Sequence, residues 1–182
     1  KSHKVIITDN KFYKNFKHSI TEKNLNIVAK KYLEIKKNFI IEANNFVQKN
    51  FKSKTLGIHY RGTSYKTSAN HPFPSTKKQI INKSKYIINK YKYNKIFLCT
   101  EEKDIFNALY KEFGNKICFI KQSYRSNKDD AFKIYPRSHH RYKLGKEILV
   151  ESIILSKCHG FLHQNSNVSE FVKYLDHKKK IK

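Results

Sequence analysis

Thr55-Leu56-Gly57-Ile58-His59-Tyr60 runs without a break into Arg61-Gly62-Thr63-Ser64, and this join decides the fold. The first six residues read as a short strand, and the Gly-containing stretch that follows reads as the loop that ends it. Three more short apolar runs follow: Lys95-Ile96-Phe97-Leu98-Cys99-Thr100, Lys116-Ile117-Cys118-Phe119-Ile120, and a run from about Gly160 to His163. Helical patterns lie between them. Ile80, Ile81, Ile87, Ile88 and Tyr91 form one stripe after the rigid loop His71-Pro72-Phe73-Pro74-Ser75-Thr76, where Ser75 or Thr76 can cap the helix. Ile105, Phe106, Leu109, Tyr110 and Phe113 form another, stopped at Gly114. Further helices are expected from about Lys146 to Ser156 and from about Asn167 to Leu175. Strands alternating with helices of this length imply α/β architecture, a Rossmann-like parallel sheet with helices on both faces. Such sheets bind ligands at the carboxyl ends of their strands.

Upstream of Lys54 the character differs. Residues 4–8 suggest a short strand. From Thr21, a candidate cap, Leu25, Val28, Ala29, Tyr32, Leu33 and Ile35 recur at helical spacing, continued by Phe39, Ile40, Ala43, Phe46 and Val47 as one long helix or two. The chain therefore divides into an N-terminal strand and helical segment, 1–53, and an α/β unit, 54–182. Residues 122–144 show no period and hold three of the four arginines, so they are expected to form a long functional loop.

At 182 residues one domain is expected, and 13 Phe and 12 Tyr suffice for a packed core. A formal net charge of +25 would ordinarily point to nucleic acid or an anionic membrane. However, only Arg61, Arg125, Arg137 and Arg141 among the 39 basic residues are arginine. The joint excess of Lys, Asn and Ile is what an AT-biased genome produces, so most lysines read as a solvated surface. Arginine grips phosphate bidentately, which makes each of the four a candidate functional position. Cys99, Cys118 and Cys158 lack zinc spacing and fit a reducing compartment. No apolar run approaches membrane-spanning length, so a cytoplasmic location is expected, with peripheral contact to an anionic membrane through a lysine-rich face left open. The absence of Met and the opening Lys1-Ser2-His3 suggest a piece of a longer protein.

Three constellations carry chemistry. Arg61, presented at a strand end beside Gly62 and Thr63, is well placed for a phosphate. Gln164-Asn165-Ser166-Asn167-Val168-Ser169-Glu170 opens a helix after a strand, with Asn167 and Glu170 spaced as in a capping box; such a helix start is an anion site. The loop residues Tyr124-Arg125-Ser126 and Arg137-Ser138-His139-His140-Arg141-Tyr142 can close over a diphosphate or recognise an acceptor. His139-His140 has no second ligand group at suitable spacing, so no metal is expected. G-x-G-x-x-G, the Walker loop, G-x-S-x-G and D-x-D are all missing. What remains is a metal-independent diphosphate site made of arginine, hydroxyls and a helix end.

Gly57-Ile58-His59-Tyr60-Arg61-Gly62-Thr63 resembles the H-x-R motif of the GDP-fucose-dependent α1,6-, nodulation and protein O-fucosyltransferases. Ile96-Phe97-Leu98-Cys99-Thr100-Glu101-Glu102 is similar to that family's apolar strand ending in Thr and two acids. Leu149 to Cys158, followed by His163-Gln164-Asn165-Ser166-Asn167-Val168-Ser169, is similar to its last motif. The resemblance implies the C-terminal, nucleotide-sugar-binding lobe of a GT-B glycosyltransferase, with residues before about 54 linking two lobes and the acceptor-binding lobe outside this chain. It further implies that Arg61 holds the β-phosphate and stabilises the leaving GDP. His59 and Glu151 would lie near the guanine or ribose, and Ser166 and Asn167 near the diphosphate, with Gly62, Thr63 and Ser169 completing the donor site. Tyr124, Arg125 and Arg141 are the candidate loop contacts. Where the α1,6 enzymes have a second Arg and an Asp, this chain has Gly62 and Ser64, and Glu151 stands in place of Asp.

The resulting expectation is an inverting sugar transferase that needs no cofactor and uses GDP-fucose, or another nucleotide sugar, on a glycan acceptor. Glu101, Glu102, His71 and Asp104 are the available general bases. The alternative is a basic nucleic-acid-binding module that uses lysine-rich helices such as 76–92 and the Arg/Tyr/His loop at 124–142, where aromatic rings could stack on bases.

Overall fold

Strand β1 (Thr55–Tyr60) is buried along its whole length, and the sheet is assembled around it. In the computed structural model, which describes residues 22–66, 73–128, 131 and 133–176, β1 pairs in parallel on both sides. β2 (Lys95–Thr100) sets Leu98 opposite Ile58, and β4 (Gly160–His163) sets Leu162 opposite the same residue. β3 (Ile117–Cys118) extends β2, so the order is β3-β2-β1-β4. Strands covered on both faces read as continuous apolar runs, the pattern that 55–60 and 95–100 display.

Alternation along the strands feeds two cores. Leu56, Ile58, Tyr60, Ile96 and Leu98 face α3 (Lys77–Tyr91) and α4 (Lys103–Phe113), which contribute Ile80, Ile87, Ile105 and Leu109. Phe97, Cys99, Cys118 and Phe161 face the other way. There they meet α2 (Lys37–Asn50) through Phe39 and Ala43, α5 (His140–Ser156) through Val150 and Ile154, and α6 (Asn167–Leu175) through Val172. The upstream helical stretch is two helices, α1 (Glu22–Tyr32) and α2, parted by residues 33–36. Both pack on the α/β unit, and α1 is tied to the end of α6 by Asn26, which donates to the carbonyl oxygens of Tyr174 and of Leu175, the latter at 3.2 Å.

Thr76 is the residue that caps α3: its Oγ1 accepts from Gln79 N at 3.3 Å while Gln79 Oε1 accepts from Thr76 N at 2.8 Å. α4 ends at Gly114, where φ reaches 48°. Two elements differ from the sequence reading. β3 is two residues long, because Phe119 leaves the sheet to pack edge-on against Phe106 at 4.7 Å. α5 starts at His140 instead of near 146, which shortens the loop and places Arg141 on the helix. Its first turns offer only His140 and Leu144 to the interior, whereas Val150 to Ser156 are buried on every side. A helix polar at one end and enclosed at the other has no stripe to read. The expected strand at 4–8, the Thr21 cap and His71-Pro72 lie outside the described residues. Among the described residues no helix is long and apolar enough to cross a membrane, and Cys99, Cys118 and Cys158 are buried and unbridged.

Gly57 is the point where β1 passes closest to the end of α5. A Cβ there would meet Cys158 Sγ and Leu155 Cδ2, each at 3.0 Å. Gly57→Ala is expected to destabilise the fold by about 1–3 kcal/mol, the usual cost of overpacking. Urea unfolding measures it; an unchanged midpoint would show that β1 and α5 have slack between them.

Candidate functional site

From β1 the chain crosses through α3 to β2 on one side, while β4 lies on the other side and leads into α6. The connections therefore diverge between β1 and β4, and at such a switch point the loops beyond the strand ends leave a crevice. Arg61, Gly62 and Thr63 leave β1 here, and Gln164 to Asn167 leave β4. Gln164 joins the two: its Oε1 accepts from Arg61 N at 2.9 Å and its Nε2 donates to Ser75 Oγ at 3.2 Å. Tyr60 reinforces the same corner by donating its hydroxyl to Ser75 O at 2.7 Å.

The Arg61 guanidinium lies over the Tyr65 ring, 5.6 Å from its centroid, and its Nη1 is 3.3 Å from Glu101 Oε1. Across the crevice, α6 is capped by Ser166, whose Oγ accepts from Ser169 N at 3.1 Å while Ser169 Oγ accepts from Ser166 N at 3.0 Å. The capping box is thus Ser166/Ser169, one position ahead of the expected Asn167/Glu170 pair. Ser169 is fully buried and also donates to Gln164 O at 2.8 Å, so its hydroxyl belongs to the cap. Asn167 is exposed at the first helical position. The first N–H groups of a helix have no intrahelical acceptors and carry the positive end of its dipole.

Below Arg61 an enclosed pocket of about 70 Å³, room for a few waters, is lined by His59, Glu101, Ser123, Tyr124, Glu151 and Val168 among others. Glu151 is buried on α5; Cys99 Sγ donates to its Oε2 at 2.9 Å and Ser123 Oγ to its Oε1 at 2.5 Å. Burial pushes its carboxyl above the usual range, with those two hydrogen bonds and the Arg125 charge opposing. Burial, then the Arg61 and His163 charges, lower His59 to about 3, so its ring is neutral at pH 7. Among the described residues its buried Nδ1 has no hydrogen-bond partner. On the α3 side of Gln164 a broad open cleft of about 1120 Å³ runs past Tyr65, Phe73, Ser75 and Tyr86.

The expected loop contacts separate. Tyr124 lines the enclosed pocket, held by its N–H to Glu147 Oε2 at 3.1 Å and edge-on against His140 at 4.9 Å. Arg125 lies over Phe106 and Phe119, at 4.4 and 5.3 Å, and donates to Ser123 O and Ile120 O, stapling the loop from inside. Arg137 grips Glu147 with both terminal nitrogens, at 2.5 and 3.2 Å. Arg141 is exposed on α5 beside the Tyr135 ring. Asp104, one of the candidate bases, is exposed and holds Lys77 at 3.4 Å and Asn127 at 2.9 Å. Sequence pattern does not foresee that Gln164 bridges Arg61 and Ser75 or that Glu101 meets the 61–63 turn; both contacts arise only from the tertiary approach of strand ends. Among the described residues no group of three or more His, Cys, Asp or Glu side chains is arranged to hold a metal ion.

The fold is one Rossmann-like α/β unit with its crevice at the switch point of a parallel sheet. Solved fucosyltransferases contain the same fold. NodZ α-1,6-fucosyltransferase soaked with GDP-fucose matches at a TM-score of 0.55 and 13% identity, over 86% of this chain and 47% of that one. POFUT1 in complex with GDP matches at 0.56 and 13%, over 85% and 48%, and POFUT1 in complex with GDP-fucose at 0.55 and 13%, over 85% and 46%. This chain therefore spans about half the length of those proteins, and at such identity the likeness shows the fold. No protein-family model and no curated protein sequence matches the chain. The solved structures that share this architecture include members of the family whose motifs the sequence resembles.

A histidine held neutral by burial binds fewer protons in the folded state than in the unfolded state. It therefore removes stability as pH falls from about 6.5 toward 3. Between pH 7 and pH 5 the loss attributable to His59 is about 2 kcal/mol. His59→Gln, which does not titrate, is expected to flatten the pH dependence by that amount in urea unfolding, while Glu151 contributes equally to both proteins. Parallel pH curves would contradict the assignment.

Proposed function

We propose that this chain is the donor-binding part of an inverting, metal-independent glycosyltransferase that takes fucose from GDP-fucose. The observation that carries the reading is the meeting of Arg61 and the Ser166-capped start of α6 across one crevice, joined by Gln164. An arginine and a helix N-terminus carried by neighbouring strand ends are the groups that complement a diphosphate. The fold is that of proteins whose structures carry GDP and GDP-fucose, which favours a guanosine diphosphate sugar.

In the proposed reaction an acceptor hydroxyl attacks the anomeric carbon from the face opposite the leaving group. The new carbon–oxygen bond forms as the bond to the β-phosphate oxygen breaks. Its electron pair leaves with GDP, and the hydroxyl proton passes to a base or to water. Negative charge grows on the departing phosphate, where Arg61 and the helix dipole stabilise it more in the transition state than in the bound donor. On the nucleoside side, Glu151 offers a carboxylate to the donors on the guanine edge, and neutral His59 lies beside it. As it stands the enclosed pocket has room for a few waters, less than a purine base occupies. Residues 54–182 would form the donor-binding unit and 1–53 the segment leading into it. The open cleft beyond Gln164 leaves room for the sugar and for a glycan acceptor.

Calorimetric titration at physiological salt tests this reading. GDP is expected to bind in the micromolar range, ADP far more weakly, and Arg61→Ala to lose at least about tenfold in GDP affinity. Equal binding of GDP and ADP, or an unaffected Arg61→Ala, would sink it.

A further inference from the structure

Two acids follow β2, and both turn toward the loop that carries Arg61. Glu101 Oε1 is the meeting point of three consecutive residues: Gly62 N donates at 3.0 Å, Thr63 Oγ1 at 3.3 Å, and Arg61 Nη1 lies at 3.3 Å. Glu102 is buried on the far side of the same loop, with Oε1 at 2.6 Å from Lys66 Nζ. Its Oε2 occupies the space beside residue 62: a Cβ added to Gly62 would lie 1.8 Å away. A side chain at residue 62 would oblige the Glu102 carboxylate, and the Tyr60 ring at 2.7 Å, to shift.

The backbone beneath these acids is itself fixed. Ser126 N donates to Glu101 O at 2.8 Å, Lys103 N donates to Ser126 O at 3.1 Å, and Glu102 N donates to Thr100 Oγ1 at 3.1 Å. A side chain on so firm a base holds its oxygen at one place, and whatever that oxygen binds shares the order. Glu101 also keeps a buried-edge arginine charge-paired, as a guanidinium without counter-ion or water would be costly.

We propose that Glu101 is a positioning residue for Arg61. Its carboxylate orders the 61–63 turn and fixes the guanidinium in the orientation that receives an anion, with Glu102 walling the turn from behind. It acts through Arg61 and not on the ligand. The identity of that anion rests on the donor reading above; the ordering of Arg61 does not.

The first measurement needs no ligand. With only four arginines in the chain, nitrogen-15 side-chain spectra resolve the Arg61 guanidinium, assigned with Arg61→Ala. In the unmodified protein its terminal N–H signals are expected to be separate and slowly exchanging. In Glu101→Ala they should merge toward those of free arginine, with Glu101→Gln intermediate. Identical Arg61 signals in the unmodified protein and Glu101→Ala overturn the proposal.

GDP titration then separates the possible roles. Glu101→Ala should bind GDP about tenfold more weakly. Glu101→Gln should stay within about threefold of the unmodified protein, since its amide oxygen still accepts from Gly62 and Thr63. In an Arg61→Ala background, Glu101→Ala should cost nothing further. Tighter GDP binding by both Glu101 variants would show a carboxylate competing for the anion seat and would contradict positioning. Ordered Arg61 signals without any GDP binding would overturn the donor reading and leave the positioning role standing.

Discussion

Everything at the site depends on the complete burial of β1 between two parallel neighbours. A strand paired on both sides and covered on both faces cannot slide or tilt, because a one-residue slip would turn its whole apolar set to the wrong face. Its carboxyl end is therefore a fixed post, and Arg61 stands on it. β4 lies beside it and ends at the same level, with His59 opposite His163, so the loops leaving both strands meet. Gln164 records that meeting as a hydrogen bond to the Arg61 N–H. The crevice is thus a consequence of strand order, before any ligand is considered.

The electrostatics of the chain look different from inside than from its composition. Against 39 basic residues stand 14 acids, and four of them, Glu101, Glu102, Glu147 and Glu151, gather around this crevice and its loop. Each orders something: Glu101 the Arg61 turn, Glu102 the loop behind it, Glu147 the pair of Arg137 and Tyr124, and Glu151 the Cys99 and Ser123 hydrogens. The lysines that set the net charge are mostly solvated, and surface charges of that kind are weakly coupled and screened by salt. Scarce acids in half-buried positions, rather than abundant lysines outside, fix how Arg61 and Arg137 point. Arg125 and Arg137 are turned into the loop by aromatic rings, carbonyl groups and a carboxylate, and Arg141 is exposed beside Tyr135, whereas Arg61 stands at the end of β1 and lines the enclosed pocket.

Much of this was legible in the residues. The runs 55–60 and 95–100 are apolar because they are covered on both faces, and Ile80 to Tyr91 repeat at helical spacing because only one face of α3 is covered. The start of α5 was not legible, since its first turns are polar and its later ones enclosed all round, so neither half shows a stripe. The capping register at α6 was off by one because several polar residues in a row each suit the position, and only backbone geometry chooses Ser166. The neighbour of Gly62 is equally invisible in the pattern: the Glu102 carboxylate lies where a side chain at residue 62 would begin. The placing of Arg125 was beyond reach for a related reason: whether an arginine faces out or stacks on Phe106 and Phe119 depends on where those rings fold.

Hydrogen exchange with and without saturating GDP is the most direct test of the central claim, that an anion is held between the ends of β1 and β4. Slowed exchange is expected at 61–65 and 164–168, with the lysine-rich helix Lys77–Tyr91 unchanged. Protection confined to that helix, or no change anywhere, would contradict it.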